Sequence, residues 1–213
     1  MILIIGVLAG LVAGLARSWF GKHPYRVPQV HLAWLVFVAF IPQFVAFVIP
    51  ATRDQFPDAW VPAVLVGSQL LLLVWVFLNL KVSGFWFLGL GLFLNLLVIG
   101  VNGGMMPIRP ELVDRLIPQA PPGFWSVGER LGVGKDIVLA VEQTRLWFLS
   151  DWFMLPGWLH YPLAFSIGDV IVSLGAFWLL WASGKNYPTL VEVHHEQENQ
   201  QQADCYDDSV VRR

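Results

Sequence analysis

The fold is decided by two neighbouring stretches, VPAVLVGSQLLLLVWVFLNL (residues 61–80) and GFWFLGLGLFLNLLVIGV (residues 84–101). Each stretch has close to the 20 or so apolar residues that an α-helix needs to cross a bilayer. Only Lys81-Val82-Ser83 separates them, which suffices for a tight turn, so an antiparallel hairpin is predicted. Neither stretch alternates apolar and polar residues as a barrel strand does, and backbone groups in lipid must pair within the segment. The hairpin is therefore predicted to be two transmembrane helices.

Further apolar stretches surround this hairpin, at residues 1–16, 31–49 and 162–183. The sequence therefore predicts an all-α fold, a polytopic membrane bundle of about five transmembrane helices within a single membrane domain at residues 1–183. A cleaved signal peptide carries its positive charge before the apolar run. Here Arg17 and Lys22 follow the first run, which is therefore predicted to be an uncleaved span.

Composition supports a membrane protein and excludes other classes. Apolar residues make up 56% of the chain and charged residues 13%, with a mean hydropathy of +0.62, whereas soluble domains carry about 25% charge. The net charge of −2 supplies no basic field for nucleic acid. Cys205 is the single cysteine, so no internal disulfide or thiolate-held cofactor is expected. The expected partners are the lipid bilayer and other membrane proteins, with no cofactor and no nucleic acid.

Orientation follows from the basic residues of the short loops. Arg17, Lys22 and Arg26 precede the second span, Lys81 lies in the hairpin turn, and Lys185 follows the last span. Short loops rich in Lys and Arg face the cytoplasm. The N-terminus is therefore predicted outside, the C-terminus in the cytoplasm, and the loop at residues 102–161 outside.

The polar segments receive separate predictions. Within the loop at 102–161, helices are predicted at 110–116 and at 135–153, the second as an amphipathic helix lying in the membrane interface. Residues 184–213 cannot bury enough apolar area to fold and are predicted to be a disordered cytoplasmic tail. Its His194-His195 pair lies between glutamates but is expected to hold no metal.

Small residues on the first span indicate a packing face. Gly6, Gly10 and Gly14 are four residues apart, which places them on one side of a helix. Glycines in that arrangement let a neighbouring membrane helix approach closely.

Polar residues concentrate near the predicted outer ends of the spans, where lipid makes them costly. They form three clusters: Asn95 with Asn102, Gly103 and Gly104; Thr144, Arg145, Ser150 and Asp151; and Ser166 with Asp169. We expect these clusters to meet at the outer membrane surface. Residues 102–107 are interpreted either as a simple helix stop or as a re-entrant turn whose free amides face a polar pocket.

A carboxylate at membrane depth needs a partner, and two arrangements are possible for Asp169. In the first, Arg145, Arg109 or Asn102 pairs with it in a clasp that ties the loop to the last span. In the second, Asp151 and Asp169 form a carboxylate pair that shares one proton and activates water for hydrolysis.

A family resemblance supports the second arrangement, the carboxylate pair of Asp151 and Asp169. Phe165-Ser166-Ile167-Gly168-Asp169 resembles the Phe-Asn-x-Ala-Asp motif of signal peptidase II, an aspartic lipoprotein signal peptidase. Residues 102–104 resemble its outer Asn-x-Gly motif. The resemblance implies Asp151 and Asp169 as catalytic candidates, but Asp151 lacks the Asn and Arg that flank the other aspartate in that family.

A second resemblance covers most of the chain. It rests on Asn-Gly-Gly-x-Met-Pro at residues 102–107, Thr-Arg-Leu-x-Phe-Leu before Asp151, and Phe-Ser-Ile-Gly-Asp-Val at residues 165–170. In this order the motifs resemble an uncharacterised family of bacterial integral membrane proteins, a domain of unknown function. The resemblance implies a multi-span protein of the bacterial cell membrane and supplies no activity.

Three functions are compatible with the sequence. The incomplete catalytic set favours a scaffold or accessory subunit of a larger membrane assembly over an enzyme. The alternatives are an aspartic hydrolase that uses Asp151 and Asp169, and a small transporter. A transporter usually has ionisable groups near the midplane and internal repeats, and the spans contain one ionisable residue and no clear repeat.

Overall fold

The computed structural model describes residues 2–26, 28–121, 124–155 and 163–183. Within them the protein is mostly helical. Its elements in chain order are α1 (Ile2–Phe20), α2 (Trp34–Phe47), α3 (Pro50–Arg53), α4 (Val61–Leu78), α5 (Phe85–Val101), β1 (Met106–Ile108), α6 (Pro110–Leu116), β2 (Asp136–Val138), β3 (Phe153–Met154), β4 (Ala164–Phe165) and α7 (Ile167–Ala182). The predicted tail at 184–213, with Cys205 and His194-His195, lies outside the described residues.

Each of the five predicted apolar stretches coincides with one apolar helix of 14–19 residues, and we call these five the long helices to distinguish them from α3 and α6. The helix α4 and the preceding turn (Asp58–Leu78) and the helix α1 are long and apolar enough to cross a membrane by length and composition, whereas α2, α5 and α7 are apolar but shorter. The helix α1 continues to Phe20, beyond the predicted end at residue 16. The prediction ended there because Arg17 and Ser18 interrupt the apolar run, although both residues are helical.

The five long helices pack in the order α1, α7, α5, α4, α2. Substantial contacts join each helix to the next in this order, and α4 packs on α5 as the predicted hairpin requires. Among the described elements, α1 has α7 as its one substantial helical neighbour, and α2 has α4 as its one long neighbour. The helices therefore form an open row with α1 and α2 at its two ends.

The glycine face of α1 is confirmed as a packing surface. Gly6, Gly10 and Gly14 are buried where α1 meets α7. A Cβ atom at Gly10 would lie 2.6 Å from the backbone oxygen of Phe177. The two backbones therefore approach more closely than any larger residue allows.

A polar cap covers one end of the row. We use "cap" for the described residues between α5 and α7, which are 102–121, 124–155 and 163–166. Its strands β1 and β2 pair in parallel, with Met106 opposite Asp136 and Ile108 opposite Val138, and β3 pairs with β4 in antiparallel fashion. The helix α6 lies at the predicted position, begins with Pro110 in its first turn, and buries Leu112 and Val113 against this sheet.

The structure corrects the prediction of an all-α fold with an amphipathic helix at 135–153. That segment contains β2, two 3-10 turns (Val141–Gln143 and Trp147–Leu149) and the start of β3. Ile137 and Val138 are β-branched, which suits a strand, and β1 offers them a partner. Leu146 has a φ of 54°, a left-handed conformation that a continuous helix cannot contain. Tertiary pairing therefore outweighed the helical spacing of the apolar residues.

Candidate functional site

The start of α7 is fixed by a capping box. Ser166 is the N-cap residue, and its Oγ accepts a hydrogen bond from the Asp169 amide at 3.0 Å. In return, Oδ2 of Asp169 accepts from the Ser166 amide at 3.1 Å. Two amides that would otherwise lack partners at a helix start are thereby satisfied, which explains why this helix begins at Ile167.

Asn95 on α5 links this box to the neighbouring helix. Its Nδ2 donates to Oδ1 of Asp169 at 2.9 Å, and its Oδ1 accepts from the Ser166 hydroxyl at 2.9 Å. The approach depends on Gly168, where a Cβ atom would overlap the Asn95 side chain. Both carboxylate oxygens of Asp169 thus have protein donors, and Asp169 acts as a structural group between α5 and α7.

A second cluster centres on Lys135 in the cap. Its Nζ donates to Asp136 Oδ1 at 2.9 Å and to Asp151 Oδ2 at 3.0 Å. The strand β1 holds Lys135 and Asp151 close together. The Met106 amide donates to the Lys135 carbonyl and the Asp151 amide donates to the Pro107 carbonyl, each at 3.1 Å. The Asp151 side chain is 3% exposed and that of Lys135 is 41% exposed. The lysine therefore separates a buried carboxylate from solvent.

Burial and charge act in opposite directions on this pair. Burial raises the pKa of Asp151 to about 7, aided by the nearby negative charges of Asp136 and Asp169 and opposed by the Lys135 ammonium. Burial also disfavours the Lys135 ammonium, but attraction by Asp136, Asp151 and Asp169 outweighs it and raises the pKa of Lys135 above its ordinary value. The lysine therefore remains charged at any physiological pH.

A cavity of about 520 Å³ lies where the cap meets the helices, and we call it the chamber. Its polar lining residues are Gln69, Asn95, Lys135, Asp136, Asp151 and Asp169. Leucines and other apolar side chains of α1, α5, α7 and the cap line the remainder. All three predicted clusters therefore contribute one residue each to this cavity, namely Asn95, Asp151 and Asp169.

The predicted partners of Asp169 were wrong. Arg145 does not pair with it, and instead the Arg145 backbone amide and carbonyl bond to the Asn102 side chain at 2.9 and 2.8 Å. Arg109 lies with its guanidinium carbon 3.8 Å from the centre of the Trp152 ring. Within the described part of the chain, Asp151 and Asp169 line the same chamber but share no hydrogen bond. The partners of Asp169 are therefore Asn95 and Ser166, which tie the start of α7 to α5.

The turn after α5 is a helix stop. Gly103 and Gly104 have φ angles of 82° and 86°, which glycine adopts without strain. The amides of Asn102 and Gly104 donate to the Ile99 carbonyl at 3.2 and 2.8 Å. Neither Gly103 nor Gly104 is among the residues that line the chamber, so the structure favours the helix-stop interpretation over a re-entrant turn that faces a polar pocket.

Sequence reasoning missed Gln69, Lys135 and Asp136. The adjacent charges of Lys135-Asp136 were interpreted as one face of a surface helix, although they stand directly before the β-branched pair Ile137-Val138. That order of residues, a charged pair followed by a short β-branched run after Gly134, was the available signal for a strand. Gln69 carried no such signal, because a single amide in an apolar helix has many possible roles.

Comparison with known proteins gives a family and no activity. No curated protein and no solved structure matches the chain. The sequence profile of a family of unknown function matches residues 28–181, which include both strand pairs, the polar residues of the chamber, and the helices α2, α4, α5 and all but the last residue of α7. The resemblance to an uncharacterised family is thereby confirmed. The chain belongs to the family of unknown function DUF5317.

Proposed function

We propose that the protein is a five-span integral membrane protein that serves as a non-catalytic accessory subunit, with its cap on the outer surface. Large apolar side chains on the outward faces of the long helices support the membrane location. Phe37 on α2 and Phe77 on α4 are 68% and 74% exposed. Contiguous exposed apolar surface of this kind marks a site for lipid or protein contact.

The distribution of charge supports the orientation. All described Asp and Glu residues lie between α2 and α4, in the cap, or in the first turn of α7. At the opposite end the described residues carry Arg17, Lys22, Arg26 and Lys81 and no carboxylate. Basic loops remain on the cytoplasmic side, so the cap faces outward in this proposal. The N-terminus then lies outside, and the tail at 184–213 lies in the cytoplasm.

The open row of helices is the observation that carries the accessory role. Packing, and not the hydrophobic effect, holds membrane helices together, so an end helix with one neighbour has most of its surface available to a partner. On α2 this surface includes Phe37, Phe40, Ile41 and Phe44. An aspartic hydrolase is less well supported, because protein donors already occupy Asp169 and Lys135 holds Asp151.

Crosslinking in cells tests this proposal. A photoreactive phenylalanine analogue replaces Phe40 on α2 in one tagged variant and Phe124, an exposed cap residue, in a matched control. We expect Phe40 to give one major adduct with a single integral membrane protein, which mass spectrometry identifies and which recovers this chain when tagged itself. Phe124 should not give this adduct. Recovery of the chain alone, with only lipid adducts at Phe40, would contradict the accessory role.

A further inference from the structure

The lining of the chamber contains two chemically different sets of residues, which we call its polar wall and its apolar wall. Its polar wall carries three carboxylates, those of Asp136, Asp151 and Asp169, against the one ammonium of Lys135. Its other wall is apolar and includes Leu92 of α5 and Leu116 at the end of α6. The volume of about 520 Å³ is within the range of about 300–1,000 Å³ that is usual for small-molecule sites. The chamber therefore offers excess negative charge beside a hydrophobic surface.

Hydrogen-bond acceptors in this chamber lack donors. Oδ1 of Asp151 and Oε1 of Gln69 are both buried, and neither has a partner in the described structure. A buried acceptor without a donor destabilises the folded protein, and a charged acceptor does so more than a neutral one. Asp151 is itself almost fully buried, so its unpartnered oxygen would point to a ligand even if no other acidic residue lined the chamber. For the ionised carboxyl of Asp151, which predominates above its pKa of about 7, the missing component is a donor of hydrogen bonds.

The chemistry of the walls selects among ligands. An anion would face the three carboxylates. A quaternary ammonium has no N–H to donate and is usually held by several aromatic rings, whereas Phe165 is the one aromatic side chain among the described lining residues. A primary ammonium carries a positive charge and three N–H donors, and an attached alkyl chain suits the apolar wall.

We propose that the chamber binds the primary ammonium head of an amphiphile. The head group enters beside the half-exposed Lys135 and bonds first to Asp136, whose side chain is 20% exposed. Rotation of Lys135 away from Asp151 then opens the buried carboxylate to the ligand. The alkyl chain lies along Leu92 and Leu116. This site requires the chamber alone and is independent of any partner subunit.

Calorimetry on the detergent-solubilised full chain tests the site. The probe is n-hexylamine, compared with n-hexanol and hexyltrimethylammonium, which have the same alkyl chain. We expect saturable binding of hexylamine with a dissociation constant about tenfold or more below those of the other two probes, the difference expected for one charge-assisted hydrogen bond. Equal binding of hexanol would reveal a merely apolar cleft and would overturn the proposal.

Variants connect binding to the chamber. Asp136→Asn should weaken hexylamine binding by about tenfold. Asp114→Asn, which makes the same change at an exposed position of α6, should leave binding unaltered. Because Asp136 is partly exposed, its variant is expected to fold, and an unchanged melting temperature checks this. Wild-type affinity in folded Asp136→Asn, or complete displacement of hexylamine by calcium chloride at millimolar concentration, would overturn the proposal.

Discussion

Backbone contacts hold Asp151 in place and thereby fix the surroundings of its carboxylate. Its amide donates to the Pro107 carbonyl, and it forms a β-bridge with Ile108, so its position is set by β1. The side chain must then enter the interior between Lys135 and the chamber. Such a carboxylate is stable either as an ion beside the lysine or as a neutral acid.

The pH dependence of stability follows from this residue. The folded protein holds the Asp151 proton up to a pKa of about 7, whereas the unfolded chain releases it near 3.8. Between these values the folded state binds more protons, so the free energy of unfolding should decrease as pH rises. Asp151→Asn should remove this contribution and flatten the profile of melting temperature between about pH 4 and pH 8. Asp114→Asn should keep the wild-type slope, and an unchanged slope in Asp151→Asn would contradict the assignment.

Single residues also show where sequence reasoning about the site succeeds. The cost of burying a carboxylate correctly singled out Asp169 as a residue with a specific partner. The partner was wrong because Ser166, three positions earlier, and Asn95, on the adjacent helix, satisfy the carboxylate without any charge. The spacing of Ser166 and Asp169 is that of a capping box and could have indicated the first partner. Spacing does not show which helices are neighbours, so it could not indicate Asn95.

The contact between α1 and α7 depends on glycine more than on any polar bond. The Cβ atom of an alanine at position 10 would lie 2.6 and 2.7 Å from the backbone oxygen and Cα of Phe177. Backbone atoms cannot rotate aside as a side chain can, so one helix must shift. The resulting loss of packing then affects the whole interface between α1 and α7.

Two glycine variants test this contact. Gly10→Ala should lower the melting temperature in detergent, at a cost of about 1–3 kcal/mol for forced overpacking. Gly67→Ala in α4, where no atom beyond the adjoining backbone of the same helix lies within 4 Å of the added Cβ, should be neutral or slightly stabilising. A similar effect of both substitutions would mean that helix propensity, and not the close approach, controls stability.

At the level of elements, the apolar helices could be predicted and the pairing of the short strands could not. The stretch at 84–101 differs by one residue from α5 (Phe85–Val101), because long apolar runs have few alternative structures. Strands of three residues such as β1 and β2 depend on each other, and 27 residues, from 109 to 135, separate them in the chain. Local spacing contains no information about a pairing at that distance.

The molecule as a whole has opposite charge character at its two ends. The cap end contains the described carboxylates, and the other end contains basic residues alone among those described. Asp58, in the loop before α4, bonds to Arg130 of the cap at 2.5 Å, so this loop lies at the cap end. The proposed topology requires that both segments lie outside the cell.

Cysteine labelling tests this arrangement. In a Cys205→Ser background, Glu142→Cys places a thiol on the exposed cap surface and Lys81→Cys places one on the turn between α4 and α5. A membrane-impermeant maleimide should label the first variant in intact cells and the second only after permeabilisation. The reverse pattern would invert the topology, and labelling of both in intact cells would contradict a membrane-spanning fold.

The packing of the first long helix on the last one has a consequence for synthesis. Ser173 on α7 donates to the Ile2 carbonyl on α1 across 171 positions, and α1 has no other substantial helical neighbour in the described structure. In the proposed membrane topology, α1 must therefore remain in lipid, with its glycine face unpaired, until the ribosome has synthesised α7. A long-lived unpaired helix of this kind is a natural substrate for membrane chaperones and quality-control proteases.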